Sequence, residues 1–203
     1  MINMQAEQLL RCLMELHSLS KIPRTGWILA GVTNPETVGE HSFETAIFAY
    51  VLAKHSNIPF NMEKAFLMAL FHEVGEARIT DLPRRSKDYI GKAKNPGERQ
   101  AAIDILHGMS DEIVPLLDEL HAKQSPEARL VEAAEELQII FKAMVYAKEN
   151  RGDMSEYMLD VKKYQSLGID IAQILAKLVG EKLNGYLGQK PYWEVGYSKS
   201  ASA

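Results

Sequence analysis

Apolar residues recur every three to four positions from near the start of the chain to about residue 187, and no sustained every-second-residue alternation interrupts them. That periodicity admits helices and excludes a sheet-built core, so the expected class is all-α. Leu9, Leu10, Leu13, Met14 and Leu16 predict a first helix over 4–20. Ala46, Ile47, Ala49, Tyr50 and Ala53 predict a second over 37–55. Asn61 is the expected cap of a third, over 62–76, through the apolar run FLMALF. Asn95, Pro96 and Glu98 read as cap, first-turn proline and N3 glutamate of a helix ending near Gly108. Ser110 with Asp111 and Glu112 opens 111–122, with Pro115 in its first turns or distorting it. Ser125-Pro126 opens the longest helix, 126–149. Asp153 and Glu156 read as a capping box for 154–166, and after Gly168 a last helix reaches about 187. Residues 21–35, rich in proline and glycine, and the charged RRSKD run after Pro83 read as loops.

Six to eight helices on moderate loops suit one globular helical domain, 1–187, better than a simple four-helix bundle. The tail, 188–203, opens with aromatics and ends in small polar residues, and is expected to be partly flexible. A formal charge of −4 argues against broad binding to a nucleic-acid polymer while leaving room for a local basic pocket. No stretch approaches the length of a membrane span and the N-terminus lacks a signal pattern, so a cytoplasmic protein with no membrane partner is expected. Cys12, the only cysteine, sits in an apolar helical pattern and reads as core.

The chemistry-bearing residues fall in a few places. In F71-H-E-V-G-E76, imidazole and carboxylate are donors suited to a divalent ion, although a histidine in an apolar helix is more often a hydrogen-bonded core residue. Adjacent residues point about 100° apart on a helix, so His72 and Glu73 share an ion only beside a helix end. Glu76, four residues after His72, is expected on the same helical face. His41 follows Glu40 near the start of its own helix, where polar residues are also common caps. In EAAEELQ, Glu132, Glu135 and Glu136 could form a solvated acidic face. Glu135, however, has Val131 and Ile139 at four-residue spacing, which makes it a candidate buried carboxylate in need of a partner. Asp81 can cap a turn or accept from a substrate hydroxyl. Arg24 and Trp27 offer a phosphate fork and a flat wall. His17, His55, His107 and His121 read as helix-end or solvent-facing residues.

Taken together, P23-R-T-G-W27, E36-T-V-G-E-H41-S, F71-H-E-V-G-E-A-R-I-T-D81-L-P and R129-L-V-E-A-A-E-E-L-Q138 resemble the HD-domain phosphohydrolases, in their 5'-deoxynucleotidase-like branch, over roughly residues 9 to 150. The resemblance implies a compact all-α HD-type domain. It also implies a single divalent metal (Mn, Co, Mg, Ni, Fe or Zn) held by His41, His72, Glu73 and Glu135. Glutamate stands where the family usually carries aspartate at both carboxylate positions, HE for HD and AEE for AD, which either re-tunes the site or weakens it. By the same resemblance Glu76 activates water or moves its proton, and Asp81 lies near the nucleoside sugar. Trp27 disfavours a ribose 2'-hydroxyl. The phosphate arginine usually directly precedes that tryptophan or lies close to it; Gly26 stands before Trp27 here, so the role passes to Arg24, with Lys87 and Arg84 as further positive charge.

The implied activity is metal-dependent hydrolysis of (deoxy)nucleoside 5'-monophosphates to nucleoside and phosphate. A different HD-type phosphoesterase, or a metal- or nucleotide-binding protein with weak turnover, stays open beside it. Relatives often dimerise, so a homodimer is compatible with the sequence.

Overall fold

The computed structural model describes residues 2–188; the side chains of residues 2–4, 85, 87, 88 and 92 also lie outside the described set, as does the expected tail from 189 on. The helices run in the order α1 (Ile2–Ser18), α2 (Thr25–Leu29), α3 (Val38–Lys54), α4 (Met62–Phe71), α5 (Glu76–Ile79), α6 (Lys87–Ile90), α7 (Lys94–Ile105), α8 (Ser110–Ala122), α9 (Pro126–Lys148), α10 (Met158–Lys163) and α11 (Asp170–Leu187). Among the described residues the one pairing of extended backbone is an isolated antiparallel bridge between Pro23 and Thr37. The all-α expectation therefore holds. No helix among them is long and apolar enough to cross a membrane.

The long helix α9 is the axis on which α3, α4, α8 and α11 pack. Ser125 caps it by accepting from the Ala128 N–H, and Pro126 occupies the first turn, where a missing N–H costs nothing. Ala128, Leu130, Val131, Ala133, Ala134, Leu137 and Ile140 are all buried, so α9 meets neighbours on several sides: α3, α4, α8 and α11. Small residues let those helices approach, and Leu130 and Ile140, each fully buried, contribute roughly 1.5–3 kcal/mol apiece. Glu127 accepts the Asn61 N–H at 2.9 Å, which ties the start of α9 to the start of α4. Asn61 itself caps α4 as expected, accepting from the Lys64 N–H. Cys12 is buried in a second apolar cluster with Val74, Ile105 and Leu106, as read from the sequence.

Several local expectations are corrected. The 21–35 segment is not all loop, because Thr25–Leu29 forms a short helix. The RRSKD run is not loop either: Arg84–Ser86 is a 3-10 turn leading into α6. The helix expected over 62–76 is two. After Phe71 the amides reach back three residues, Val74 to Phe71 and Glu76 to Glu73, and this tightening ends α4 before α5 begins. Asn95 does not cap α7, which starts two residues earlier than expected with Ala93 at its cap and no side-chain bond. Asp153 accepts from the Ser155 N–H, so a 3-10 turn at Ser155–Tyr157 and the short α10 replace the box-capped helix expected over 154–166. Leu9, Leu10, Leu13 and Met14 face outward, as do Ile47 and Tyr50; the period of those helices was legible but not which side is covered.

Candidate metal centre and substrate cavity

The N-terminus of α3 is built by a reciprocal capping box: the Glu40 N–H donates to Thr37 Oγ1, and the Thr37 N–H donates to Glu40 Oε2 at 2.7 Å. The Pro23–Thr37 bridge, together with the Arg24 N–H donated to Glu36 O at 3.0 Å, pins the Arg24 segment beside this helix start. His41 is thereby set, fully buried, in the first turns of α3. His72 and Glu73 lie where α4 tightens into turns, so the two side chains can face one point beside a helix end. Glu135 reaches the same point from α9.

One nitrogen or oxygen from each of His41, His72, Glu73 and Glu135 lies within 4.8 Å of the others. The outer nitrogens of both imidazoles are committed elsewhere. His41 Nδ1 is 2.7 Å from Gln138 Oε1, and His72 Nδ1 is 2.8 Å from the Ala69 carbonyl oxygen. Those oxygens accept, so a neutral ring in either place carries its proton on Nδ1 and turns the lone pair of Nε2 toward the other. The two Nε2 atoms face each other at 3.3 Å. Lone pairs at that range repel unless a cation lies between them. Two nitrogens bound to one ion at about 2.0–2.1 Å and a near-tetrahedral angle stand roughly 3.3 Å apart. Glu73 Oε1 is 4.0 Å from His41 Nε2 and 3.7 Å from His72 Nε2, and Glu135 Oε2 is 4.0 Å from His72 Nε2. These four residues fit a divalent cation, and the longer glutamate stems still bring their oxygens to the shared point.

Electrostatics separates the carboxylates. Burial alone would raise Glu73, but the positive charge of His72 when that ring is protonated, and of Arg24 beside it, outweighs burial and brings its pKa down to about 2. Burial, reinforced by Glu73 and Asp81, pushes Glu76 up to about 10. Glu135 is raised chiefly by burial. His41 is held well below the usual histidine range by burial and then by Arg24, which keeps the ring neutral. Among the described residues Glu76 Oε2 is buried without a hydrogen-bond partner, while Lys94 Nζ lies 3.5 Å from its Oε1.

Beside the cluster a cavity is lined by Arg24, Trp27, Glu73, Glu76, Asp81, Lys94, Glu135, Arg84 and Tyr157, among others. Arg24 Nη1 is 2.9 Å from Glu73 Oε1 and 3.2 Å from Asp81 Oδ1. Asp81 Oδ2 accepts from both the Thr25 N–H and the Thr25 hydroxyl, so Asp81 anchors the start of α2. The Trp27 ring is stacked on Tyr157 with centroids 4.4 Å apart, and its indole N–H donates to Glu36 Oε1 at 2.8 Å. Its face is thus a rigid wall. The Arg84 side chain pairs with Asp160 at the edge of the cavity. The side chain of Lys87 lies outside the described residues.

Sequence reading singled out eight residues that the structure brings together: Arg24, Trp27, His41, His72, Glu73, Glu76, Asp81 and Glu135. Glu76 joins the others by the turn at 72–75 and α5, not by sharing one helix face with His72. Lys94 was missed, because a lysine opening a helix carries no signal of its own. Glu36 and Gln138 were inside the recognised motifs but unassigned, although Gln138 follows Glu135 by one helical turn.

Residues 16–175 match the HD domain family. Over 133 residues the chain is 31% identical to 5'-deoxynucleotidase HDDC2 of Danio rerio, spanning 63% of this chain and 64% of that protein. It is 25% identical to 5'-deoxynucleotidase HDDC2 of Bos taurus over 87% of both chains. The fold is also similar to the crystal structure of PH0347 protein from Pyrococcus horikoshii OT3, with a TM-score of 0.74 and 26% identity over 85% of this chain and 99% of that one.

Proposed function

We infer the function from one premise: the chain belongs to the HD domain family. It is a phosphohydrolase, and we propose that its substrates are deoxynucleoside 5'-monophosphates, cleaved to nucleoside and inorganic phosphate with one divalent cation held by His41, His72, Glu73 and Glu135. The observation that carries this reading is the pair of imidazole Nε2 lone pairs facing each other at 3.3 Å, flanked by two carboxylates and opening onto a cavity that holds an arginine. The names of the relatives support the substrate class.

When bound, the cation supplies Lewis acidity toward a phosphoryl oxygen and makes water a better nucleophile at neutral pH. The protein's own groups do the rest. Arg24 spends Nη1 on Glu73 and Asp81, which fixes the plane of its fork, and its remaining donors serve the phosphoryl oxygens. Glu76 handles the proton: its buried carboxyl, in the cavity wall beside Glu73 and Asp81, positions the attacking water and takes up the proton it gives, which then passes to the departing 5'-oxygen. Lys94, near Glu76, adds positive charge to the same wall. Trp27 is too firmly held to move aside, and so it excludes a sugar carrying a 2'-hydroxyl. Asp81 accepts from the sugar with the lone pairs that Thr25 and Arg24 leave open.

A second reading, a nucleotide or metal binder with weak turnover, is favoured by one observation: the 2.9 Å bond from Arg24 to Glu73 ties the phosphate-binding group to a candidate metal ligand. Phosphate release from paired deoxy- and ribonucleoside 5'-monophosphates, measured after chelation and re-addition of Mg, Mn, Co, Ni or Zn, separates the two. Metal-dependent release favouring the deoxy series supports the nucleotidase. Stoichiometric metal without release supports the binder, and full activity without metal refutes both.

A further inference from the structure

The buried side chains behind His41 form a continuous relay that reaches the cavity wall. His41 Nδ1–H donates to Gln138 Oε1 at 2.7 Å. The Gln138 amide nitrogen donates to Glu36 Oε2 and to Glu44 Oε2, each at 2.8 Å. Glu36 Oε1 accepts from the Trp27 indole N–H at 2.8 Å, and the Glu36 backbone N–H donates to the Tyr146 hydroxyl at 2.9 Å. Lys142 closes the far side, 2.6 Å from Glu44 and 3.2 Å from Glu36. Gln138 is fully buried, which is costly for an amide unless every group on it is paired. Its orientation follows from its surroundings: reversing the amide would set its oxygen against two carboxylates.

We propose that Gln138 and Glu36 are positioning residues, which fix the tautomer of His41 that leaves Nε2 free to bind the metal and which mechanically join that ligand to the Trp27 wall of the substrate cavity. The inference rests on the reading of His41 as a metal ligand. A ring with an acceptor behind Nδ1 is held in one protonation pattern and one rotation. Without that acceptor the free side chain prefers its proton on Nε2, the nitrogen the metal needs bare. Glu36 is the joint of the relay. One oxygen orients the amide that orients His41, and the other holds the indole that walls the cavity, so neither end can shift alone.

The test uses the full chain, stripped of metal, with cobalt(II) alone as the probe. Long-range nitrogen–proton spectra of the metal-free protein are expected to show His41 with a pyrrole-type Nδ1 and a pyridine-type Nε2. Wild-type His41 protonated at Nε2 overturns the proposal before any variant is made. Gln138→Met, similar in volume but without an acceptor, is expected to keep its helical circular dichroism, mix the His41 tautomers and raise the cobalt dissociation constant about tenfold or more. Binding within twofold of wild type, with unchanged His41 signals, refutes it. Should that variant not fold, Trp27→Phe tests the other end, because it leaves the ring on Tyr157 and removes only the indole N–H. A severalfold loss of cobalt affinity there supports the relay, and unchanged affinity breaks it at Glu36. Because these readouts need no substrate, a wild-type protein that binds cobalt through His41 yet releases no phosphate would refute the nucleotidase reading and leave this one standing.

Discussion

Replacing Gly75 by alanine should destabilise the protein, although the local backbone favours the change. Gly75 sits at φ −60 and ψ −29, a conformation open to every L-residue. On an exposed helix such a substitution stabilises by about 0.4–1 kcal/mol, because the unfolded chain loses freedom. Here the added Cβ would stand 2.6 Å from Glu98 O, 2.8 Å from Glu98 Cα and 3.0 Å from its carbonyl carbon. Comfortable separations are about 3.5–4.0 Å, so α7 must retreat by roughly 1 Å. The obstruction is backbone, not the end of a flexible side chain, so it cannot swing aside. Overpacking of that kind costs about 1–3 kcal/mol, which outweighs the gain and leaves a net loss of about 1–2 kcal/mol. Gly97 on α7 is the control, since a Cβ there meets nothing within 4 Å and Gly97→Ala should be neutral or stabilising. Urea unfolding in the presence of a chelator measures both at equilibrium. Because α7 carries Lys94 to Glu76, Gly75→Ala should also depress turnover at wild-type metal occupancy. A Gly75→Ala protein as stable as Gly97→Ala would show that the approach of α5 to α7 does not constrain the fold.

Three further outcomes follow from the geometry. His72→Ala should lose stoichiometric metal and all phosphate release; in the wild type, metal at a hundredfold excess over its dissociation constant should raise stability by about 2.7 kcal/mol, read as a shift in the unfolding midpoint. Acid should weaken the join between α4 and α9. Burial opposes the charge on Glu127, but the Asn61 N–H and Lys64 hold its pKa below the ordinary value of 4.5. Its folded value is depressed, so its contribution is complete above about 4.5 and fades as pH falls through the lower folded value; Glu127→Gln should flatten that part of the metal-free stability profile. Arg78, doubly bonded to Glu15 across exposed surface, should contribute little: Arg78→Ala is expected to cost about 0.2–1 kcal/mol at low salt, and a loss that persists undiminished in 1 M salt would contradict a screened surface pair.

Much of this molecule was readable one segment at a time, because helix period and capping are local properties. Ser125-Pro126 opens α9 and Asn61 caps α4 since each cap needs only residues within one turn of itself. The ordered motifs around Arg24, His41, His72 and Glu135 pointed to a shared site through their resemblance to the HD-domain phosphohydrolases; taken singly, each also reads as a cap, a core histidine or an acidic face. Where local signals compete, the sequence did not decide. The break after Phe71 is not legible in FLMALFHEVGEA; it goes with an approach between distant segments, in which a Cβ on Gly75 would meet the Glu98 backbone.

What the sequence alone determined was the class, most of the helices and the inventory of histidines and carboxylates from which the candidate site is built. Only the tertiary structure decided which lone pairs meet. That His41 and His72 face each other through Nε2, that Gln138 stands behind one and Ala69 behind the other, and that Lys94 arrives from α7 are all contacts between segments far apart in the chain. Such contacts depend on how helix faces pack, and packing is a property of the whole core that no single segment carries.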